Sequence, residues 1–400
     1  MKNCKKLKIE FDEKSLLNFS KINKTINTKN NAQNEFNTSF FIFYIIVFIF
    51  VFLTCIFIFL FKNQFKQNNN NITNNLQNIS KCNNNNNNFS NINDIINPYI
   101  KAQKDFCENN AKYINKKYEN EIFLSDVNFN ELKYQMYIFN STNFILNEFK
   151  LYGAYEVPLS NNIIEALKFY ASKYNISNNR DILMLDIGSN VGWYPSLLGR
   201  YGYSILCFEA FEKNYYVAKK NYCHLNKKDE NVIIITKGLG AKQKLCHYFN
   251  QINNAGNGMV ICEDNKDILN DTGLEFIKDS DVEITTLDYF MPYLSNKNIA
   301  VMKIDVEGYE LEVLKGGKEL INKYHVPFVV LEFSPTYLKE VGSDPKELAQ
   351  FFVDNGYKIS LSSFLSKDFI SVDELIKIIL NSAIINKKCI YYNQRKKTLI

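Results

Sequence analysis

The chain has 400 residues, with 47 Lys and Arg against 42 Asp and Glu, for a formal net charge of +5. The basic excess is small and mostly Lys. No stripe of Arg interleaved with aromatics marks a nucleic-acid groove, so a phosphate-tracking function is not expected. The length suffices for one or two domains with full cores, but the apolar residues are unevenly spread.

Residues 1–39 form a polar, Lys-rich tail. Phe40 to Phe61 then reads FFIFYIIVFIFVFLTCIFIFLF, without a charge. It is long enough to cross a bilayer as a helix, and it has no polar face that would suit a globular helix. A cleaved signal peptide would have a shorter apolar region, a shorter leader and small residues at its end. A single membrane-spanning helix is therefore expected. Lys2, Lys5, Lys6, Lys8, Lys14, Lys21, Lys24 and Lys29 favour a cytosolic leader and a lumenal C-terminal domain. Lys62 and Lys66, just beyond the helix, point the other way. Glycosylation sequons start at Asn18, Asn23, Asn140 and Asn175, on both sides of the helix, and so do not decide orientation.

Residues 62–97 contain the run Asn83 to Asn88 and read as a disordered stalk, too polar to form a core. Residues 98–180 are richer in Tyr, Phe and Leu, and Asn161 to Tyr174 has helical periodicity. This segment is expected to be a helical cap or N-terminal extension. The nine cysteines contain no CxxC pair, and His224, His247 and His325 are scattered. Neither a metal site nor a disulfide framework can be read from them. Cys207 falls in an apolar run and reads as a small core residue.

Residues 181–400 alternate between strand-like and helix-like runs, the pattern of an α/β fold with a parallel sheet. The first unit is DILMLDIGSNVGWYPSLLGRYG. Ile182 to Ile187 predicts a central strand, Gly188 to Gly192 a turn, and the residues beyond it a helix. Gly188 and Gly192 would allow unusual dihedrals and close approach of a ligand. Asn190 lies between them. A dinucleotide site wants GxGxxG with a pyrophosphate on the helix end. Here the spacing is GxxxG, and Asp186 stands two residues before the first glycine. A carboxylate there suits a ligand carrying an amine, such as the methionine part of S-adenosylmethionine. Tyr203 to Phe208 predicts the second strand, ending at Glu209. That carboxylate is about 20 residues beyond the glycine turn, where ribose hydroxyls are bound in nucleoside-binding sheets.

Two later segments place acidic groups at strand ends, where open α/β sheets bind ligands. IAVMKIDVEGYELEVLKGG brings Lys303, Asp305 and Glu307 to the end of a strand from Ile299 to Ile304. VPFVVLEFSP predicts a strand from Phe328 to Leu331 with Glu332 at its end.

DIGSNVG, CFEAFEKNYY, VEITTLDYF, KIDVEGYELEVLKGG and VVLEFSP together resemble the FkbM-type methyltransferases over about Asp181 to Tyr357. The resemblance implies the class I methyltransferase fold, a Rossmann-like seven-stranded sheet whose last strand is antiparallel. Here a transmembrane helix and an Asn-rich linker would precede it. Strand-like runs at Gly356 to Leu361 and Cys389 to Asn393, around a helix from about Asp373, fit the C-terminal part. The resemblance also implies S-adenosyl-L-methionine as donor and a hydroxyl oxygen as acceptor. One departure is at the third strand, where related enzymes often meet adenine with a polar or acidic side chain. This chain has Lys237 and Gly238 there.

The expected cofactor-binding residues are thus Asp186, Gly188, Asn190, Gly192 and Glu209. Asp305 is the first candidate for a base that takes the acceptor proton, Glu307 the second and Glu332 the third. Lys303 would hold a negative group. Two carboxylates without His or Cys make a weak case for a metal, and none is expected. Trp193 lines the methionine pocket or packs on the sheet. The acceptor, a sugar, glycan or other small hydroxyl compound, would be chosen by the cap and by loops such as Asn250 to Asp271. The competing function is a membrane-tethered binding protein that keeps the fold without catalysis.

Overall fold

The computed structural model describes residues 93–109, 118–140, 144–225, 231–251, 254–262, 274–381 and 387–393. The leader, the apolar run from Phe40 to Phe61 and most of the Asn-rich segment lie outside them. No helix among the described residues is long and apolar enough to cross a membrane.

Helix α1 (Asn93–Asn109) begins inside the stretch assigned to the stalk, because Ile95 and Ile96 bury themselves against the main sheet. A hairpin follows, of β1 (Ile122–Phe129) and β2 (Leu132–Phe139), in a region expected to be helical. Val127 and Phe129 on one strand, and Met136 and Ile138 on the other, are buried, the two-residue period of a half-buried ribbon. Asn130, at φ 51°, supplies the left-handed residue of its turn. Helices α2 (Phe144–Tyr152) and α3 (Val157–Lys173) complete the N-terminal segment.

From Ile182 the elements follow the apolar runs. They are β3 (Ile182–Ile187), α4 (Trp193–Arg200), β4 (Ser204–Phe208), α5 (Glu212–Cys223) and β5 (Val232–Ile235). Next come β6 (Gly238–Leu239), β7 (Lys244–Gln251), β8 (Asn254–Cys262) and β9 (Leu274–Thr285). The chain then forms α6 (Met291–Leu294), β10 (Asn298–Ile304), α7 (Glu310–Lys315), α8 (Lys318–Tyr324) and β11 (Phe328–Phe333). It ends with α9 (Pro335–Glu340), α10 (Pro345–Asp354), β12 (Tyr357–Ser360), α11 (Val372–Asn381) and β13 (Lys387–Asn393).

Seven strands form one sheet in the order β12-β13-β11-β10-β3-β4-β5. Its central pairings are parallel, and β13 runs antiparallel to both neighbours. This is the seven-stranded arrangement expected for the class I methyltransferase fold. Alternate strand residues face opposite layers. Ile182, Met184, Ile205 and Val301 join one core cluster with α4, α5, the hairpin, α2 and α3. Leu183, Leu185, Leu206 and Met302 join the other, with the start of α1 and the later helices. The N-terminal segment thus contributes to both layers. A second sheet, in the order β6-β9-β7-β8, has its own small cluster.

Gln103 of α1 closes the open edge of the main sheet at β5. Its amide nitrogen donates to Val232 O (2.9 Å), and its amide oxygen accepts from Ile234 N (3.0 Å). Covering an edge in this way satisfies backbone groups that would otherwise invite another strand.

No disulfide was legible in the cysteine spacing, yet two are formed among the described residues. Cys107 of α1 is bonded to Cys223 of α5, and Cys246 of β7 to Cys262 of β8. The first joins positions 116 residues apart, and the second joins cross-strand neighbours. Only the fold brings these pairs together. Cys207 is free and buried, as expected.

Opening the Cys107–Cys223 bond removes a long-range restraint on the unfolded chain. Cys223→Ser should lower unfolding stability by about 2–5 kcal/mol in denaturant titrations under oxidising conditions. An unchanged midpoint would show that the bond does not hold α1 in place.

Candidate active site

The site grows from strand register. Parallel pairing sets Lys303 of β10 beside Asp186 of β3, with Cys207 of β4 on the other flank. Asp186 is fully buried, and neither carboxylate oxygen has a hydrogen-bond partner. Its nearest counter-charge is Lys303 Nζ at 3.7 Å. Burial pushes the Asp186 carboxyl up to about 6. Lys303 opposes that rise, while Asp305 and Glu156 add to it. Lys303 also lies 3.3 Å from Asp305 and donates to Gly188 O (3.2 Å). The negative groups it was expected to hold are the protein's own, so its ammonium serves to organise the site.

The glycine turn has the dihedrals its sequence demands. Gly188 and Gly192 have φ of 80° and 82°, and Asn190 has φ 50°. Close approach is also required by the chain itself. A Cβ on Gly188 would fall 1.8 Å from Asp305 O, and one on Gly192 would lie 3.1 Å from Ala218 Cα. The amides of Gly188 and Ser189 both donate to Phe208 O at the end of β4. Glu209, just beyond, accepts from Asn190 N (2.7 Å) and Phe211 N (2.9 Å). Burial nevertheless pushes Glu209 up to about 7. The five expected cofactor residues therefore meet at the C-terminal ends of β3 and β4.

At the end of β10, Asp305 N donates to Ile187 O (2.9 Å), fixing this turn against the first. Glu307 has φ 53° and Gly308 φ 98°. Glu310, absent from the sequence-based set of site residues, braces the turn from within. One of its carboxylate oxygens accepts from Val306 N (3.1 Å) and Gly308 N (3.2 Å). Burial lifts Glu310 to about 7. Glu332 lies inside β11 rather than beyond it, since the strand runs to Phe333. One carboxylate oxygen from each of Asp305, Glu307 and Glu332 lies within 4.8 Å of the others. That spacing suits proton abstraction and would also accommodate a cation, although acidic groups stand this close in many proteins without one.

The stretch Asn250 to Asp271, expected to be an acceptor-side loop, begins in the second sheet: it takes in the last residues of β7 and all of β8. The remainder of it lies outside the described residues. Tyr248 of β7 stacks on Phe211 with centroids 3.9 Å apart. Burial pushes its hydroxyl well above the usual tyrosine range, and Glu209 and Glu307 push it further. Nothing in its local sequence separates it from an ordinary strand tyrosine. Lys237, the departure at the third strand, is ion-paired with Glu283 of β9. Trp193 packs rather than lining an open pocket. Its indole N–H donates to Ser160 Oγ (2.9 Å), and its ring meets Phe129 and Phe149 edge-on.

Residues 186–359 match the Methyltransferase FkbM domain. The matched segment starts at Asp186 itself and includes every expected site residue. Among solved structures, the chain is similar to magnesium protoporphyrin IX methyltransferase from Synechocystis PCC 6803, solved with bound SAM. Identity is 10%, the TM-score 0.33, and coverage 77% of this chain and 100% of that one. It is similar to the METTL16 MTase domain at 11% identity and TM-score 0.33, covering 73% and 92%. It is also similar to the human methyltransferase 10 domain containing protein at 12% identity and TM-score 0.30, covering 63% and 94%. No curated protein matches the chain.

Lys303 neutralises a fully buried carboxylate, so its removal leaves a charge without compensation. Lys303→Met should cost about 3–5 kcal/mol of stability at pH 7.5. The sign with pH follows from Asp186. Its folded value lies above its unfolded one, so ionisation weakens the fold as pH rises from about 4 to 6. Denaturant titrations should therefore show a smaller loss at pH 5 than at pH 7.5. An equal loss at both would separate Lys303 from the Asp186 charge.

Proposed function

We propose that the FkbM domain transfers a methyl group from S-adenosylmethionine to a hydroxyl oxygen of a sugar, glycan or other small molecule. The observation that carries this reading is the fully buried Asp186, whose carboxylate is faced by Lys303 at 3.7 Å and has no partner within hydrogen-bond distance, beside Glu209 and the GxxxG turn. Asp186 suits the ammonium of the donor's methionine end, and Glu209 suits the two ribose hydroxyls. The match of residues 186–359 to a methyltransferase family supports the same donor.

When bound, the donor supplies a methyl group on a sulfonium, whose C–S bond breaks as the new C–O bond forms, the electron pair leaving with sulfur. The protein's share is positioning and proton management. The Asp305, Glu307 and Glu332 cluster takes the hydroxyl proton, with Asp305 first because it sits at the end of β10 against the glycine turn. Lys303, at 3.3 Å, holds the Asp305 carboxylate in place. The buried, stacked rings of Phe211 and Tyr248 would help keep water from Glu209, whose carboxylate accepts from Phe211 N.

We also infer that Phe40 to Phe61 tethers the domain to a membrane, facing an oxidising lumen. Two disulfides support that orientation, since such bonds persist outside the reducing cytosol. The Lys-rich leader supports it as well. In sealed microsomes the domain should resist added protease until detergent is present. Digestion without detergent would place it in the cytosol.

Calorimetric titration tests the donor. S-adenosylmethionine and its demethylated product should bind saturably, and NAD should not. Glu209→Ala should weaken binding about 10- to 100-fold, the loss of one to two charge-assisted hydrogen bonds. Asp305→Ala should bind the donor normally and lose about 10²- to 10⁴-fold in turnover with a hydroxyl acceptor. A folded protein that binds none of these ligands would leave the tethered, non-catalytic reading as the better one.

A further inference from the structure

Glu156 precedes the FkbM domain and lies in no segment that the sequence ties to chemistry. It stands immediately before α3 with φ 45° and ψ 47°, a left-handed conformation that L-residues with side chains avoid. Residues held there against their preference concentrate at functional sites. Its backbone is pinned from both directions. Its N–H donates to Glu148 Oε2 (2.6 Å), and its carbonyl accepts from Ser160 N (2.8 Å).

Its carboxylate reaches the site through Tyr194, whose hydroxyl donates to Glu156 Oε2 (2.7 Å). Tyr194 belongs to α4, the helix that opens from the glycine turn, and Lys303 Nζ lies 5.5 Å from its ring centroid. Glu156 is also among the groups whose negative charge is felt at Asp186. Three carboxylates, Glu156, Asp186 and Asp305, thus act on the region organised by the buried Lys303 ammonium. Gathering like charges opposes folding, and the arrangement becomes favourable when a ligand brings positive charge to it.

We propose that Glu156 is a cofactor-binding residue supplied by the segment ahead of the FkbM domain. With Asp186, it faces the positive methionine end of S-adenosylmethionine. The inference rests on the donor reading above and extends it to a residue that the family match does not cover. It also gives the N-terminal segment a role at the site, beyond packing on the sheet.

Glu156→Gln keeps an acceptor for the Tyr194 hydroxyl and the same backbone while removing the charge. The full chain, wild type and variant, is titrated with S-adenosylmethionine by calorimetry, and both are melted without ligand at pH 7.5. The expected result is a tenfold or greater loss of affinity with a ligand-free melting midpoint no lower than wild type. Unchanged affinity beside normal wild-type binding would overturn the inference. Unchanged affinity with a lowered midpoint would also do so, by marking Glu156 as a helix-terminal structural residue only. Failure of the wild type itself to bind would instead remove the donor reading, and this inference with it. If Glu156→Gln does not fold, Tyr194→Phe replaces it. That variant leaves the charge but frees the carboxylate to move, and it should lose several-fold in affinity. Wild-type affinity there would overturn the inference equally.

Discussion

A buried ion pair between neighbouring parallel strands is the constraint on which the site depends. Asp186 and Lys303 are register partners in the middle of a seven-stranded sheet, both buried. A carboxylate in that position is tolerable only because an ammonium stands beside it. The same ammonium reaches Asp305 and the carbonyl of Gly188. One side chain therefore ties together the cofactor turn, the buried carboxylate and the proposed base. The contact between Gly188 and Asp305 O has the same effect through sterics, since it leaves no room for a Cβ.

The N-terminal segment belongs to this machinery. Gln103 closes the edge at β5, Cys107 is bonded to α5, and Ser160 receives the indole N–H of Trp193. These contacts reach from elements ahead of Ile182 to strands and helices of the seven-stranded fold. The bond from Trp193 to Ser160 joins α3 to α4, and the bond from Tyr194 to Glu156 joins the residue that precedes α3 to the same helix. Removing the segment would uncover parts of both layers of the sheet and also take away part of the charge around the site.

Much of the sheet was legible because its signal is local. Ile182 to Ile187 and Ile299 to Ile304 are apolar runs broken only by Asp186 and Lys303, close to the near-continuous apolar pattern of central strands in parallel sheets. The residues expected to hold a cofactor could be grouped in the sequence for a related reason. Asp186, Gly188 and Gly192 fall within one turn, and Glu209 follows at a spacing set by one strand–helix–strand unit. What escaped the sequence depends on distant partners. The hairpin at Ile122 to Phe139 sits among helices and has only a short alternating pattern to mark it. Both disulfides join cysteines that only the fold brings together. Glu156, Tyr248 and Glu310 carry no local mark, and each acquires its role from a residue on another element or from its own burial. Lys303 was legible as a site residue, but its partners were not, because they are set by strand register.

The account makes the donor's positive charge the counterpart of a carboxylate that burial holds near pH 6. A cation bound beside Asp186 favours its ionised form, so the protein must lose a proton to bind wherever Asp186 is partly protonated. Glu209, lifted to about 7, acts in the same direction when its carboxylate accepts from the ribose. The most direct test is calorimetric titration with S-adenosylmethionine from pH 5 to 8, in buffers of different ionisation enthalpy. The account predicts net proton release near pH 6 and affinity that rises with pH to a plateau above about 7.5. Binding without proton release, at an affinity independent of pH across that range, would contradict it.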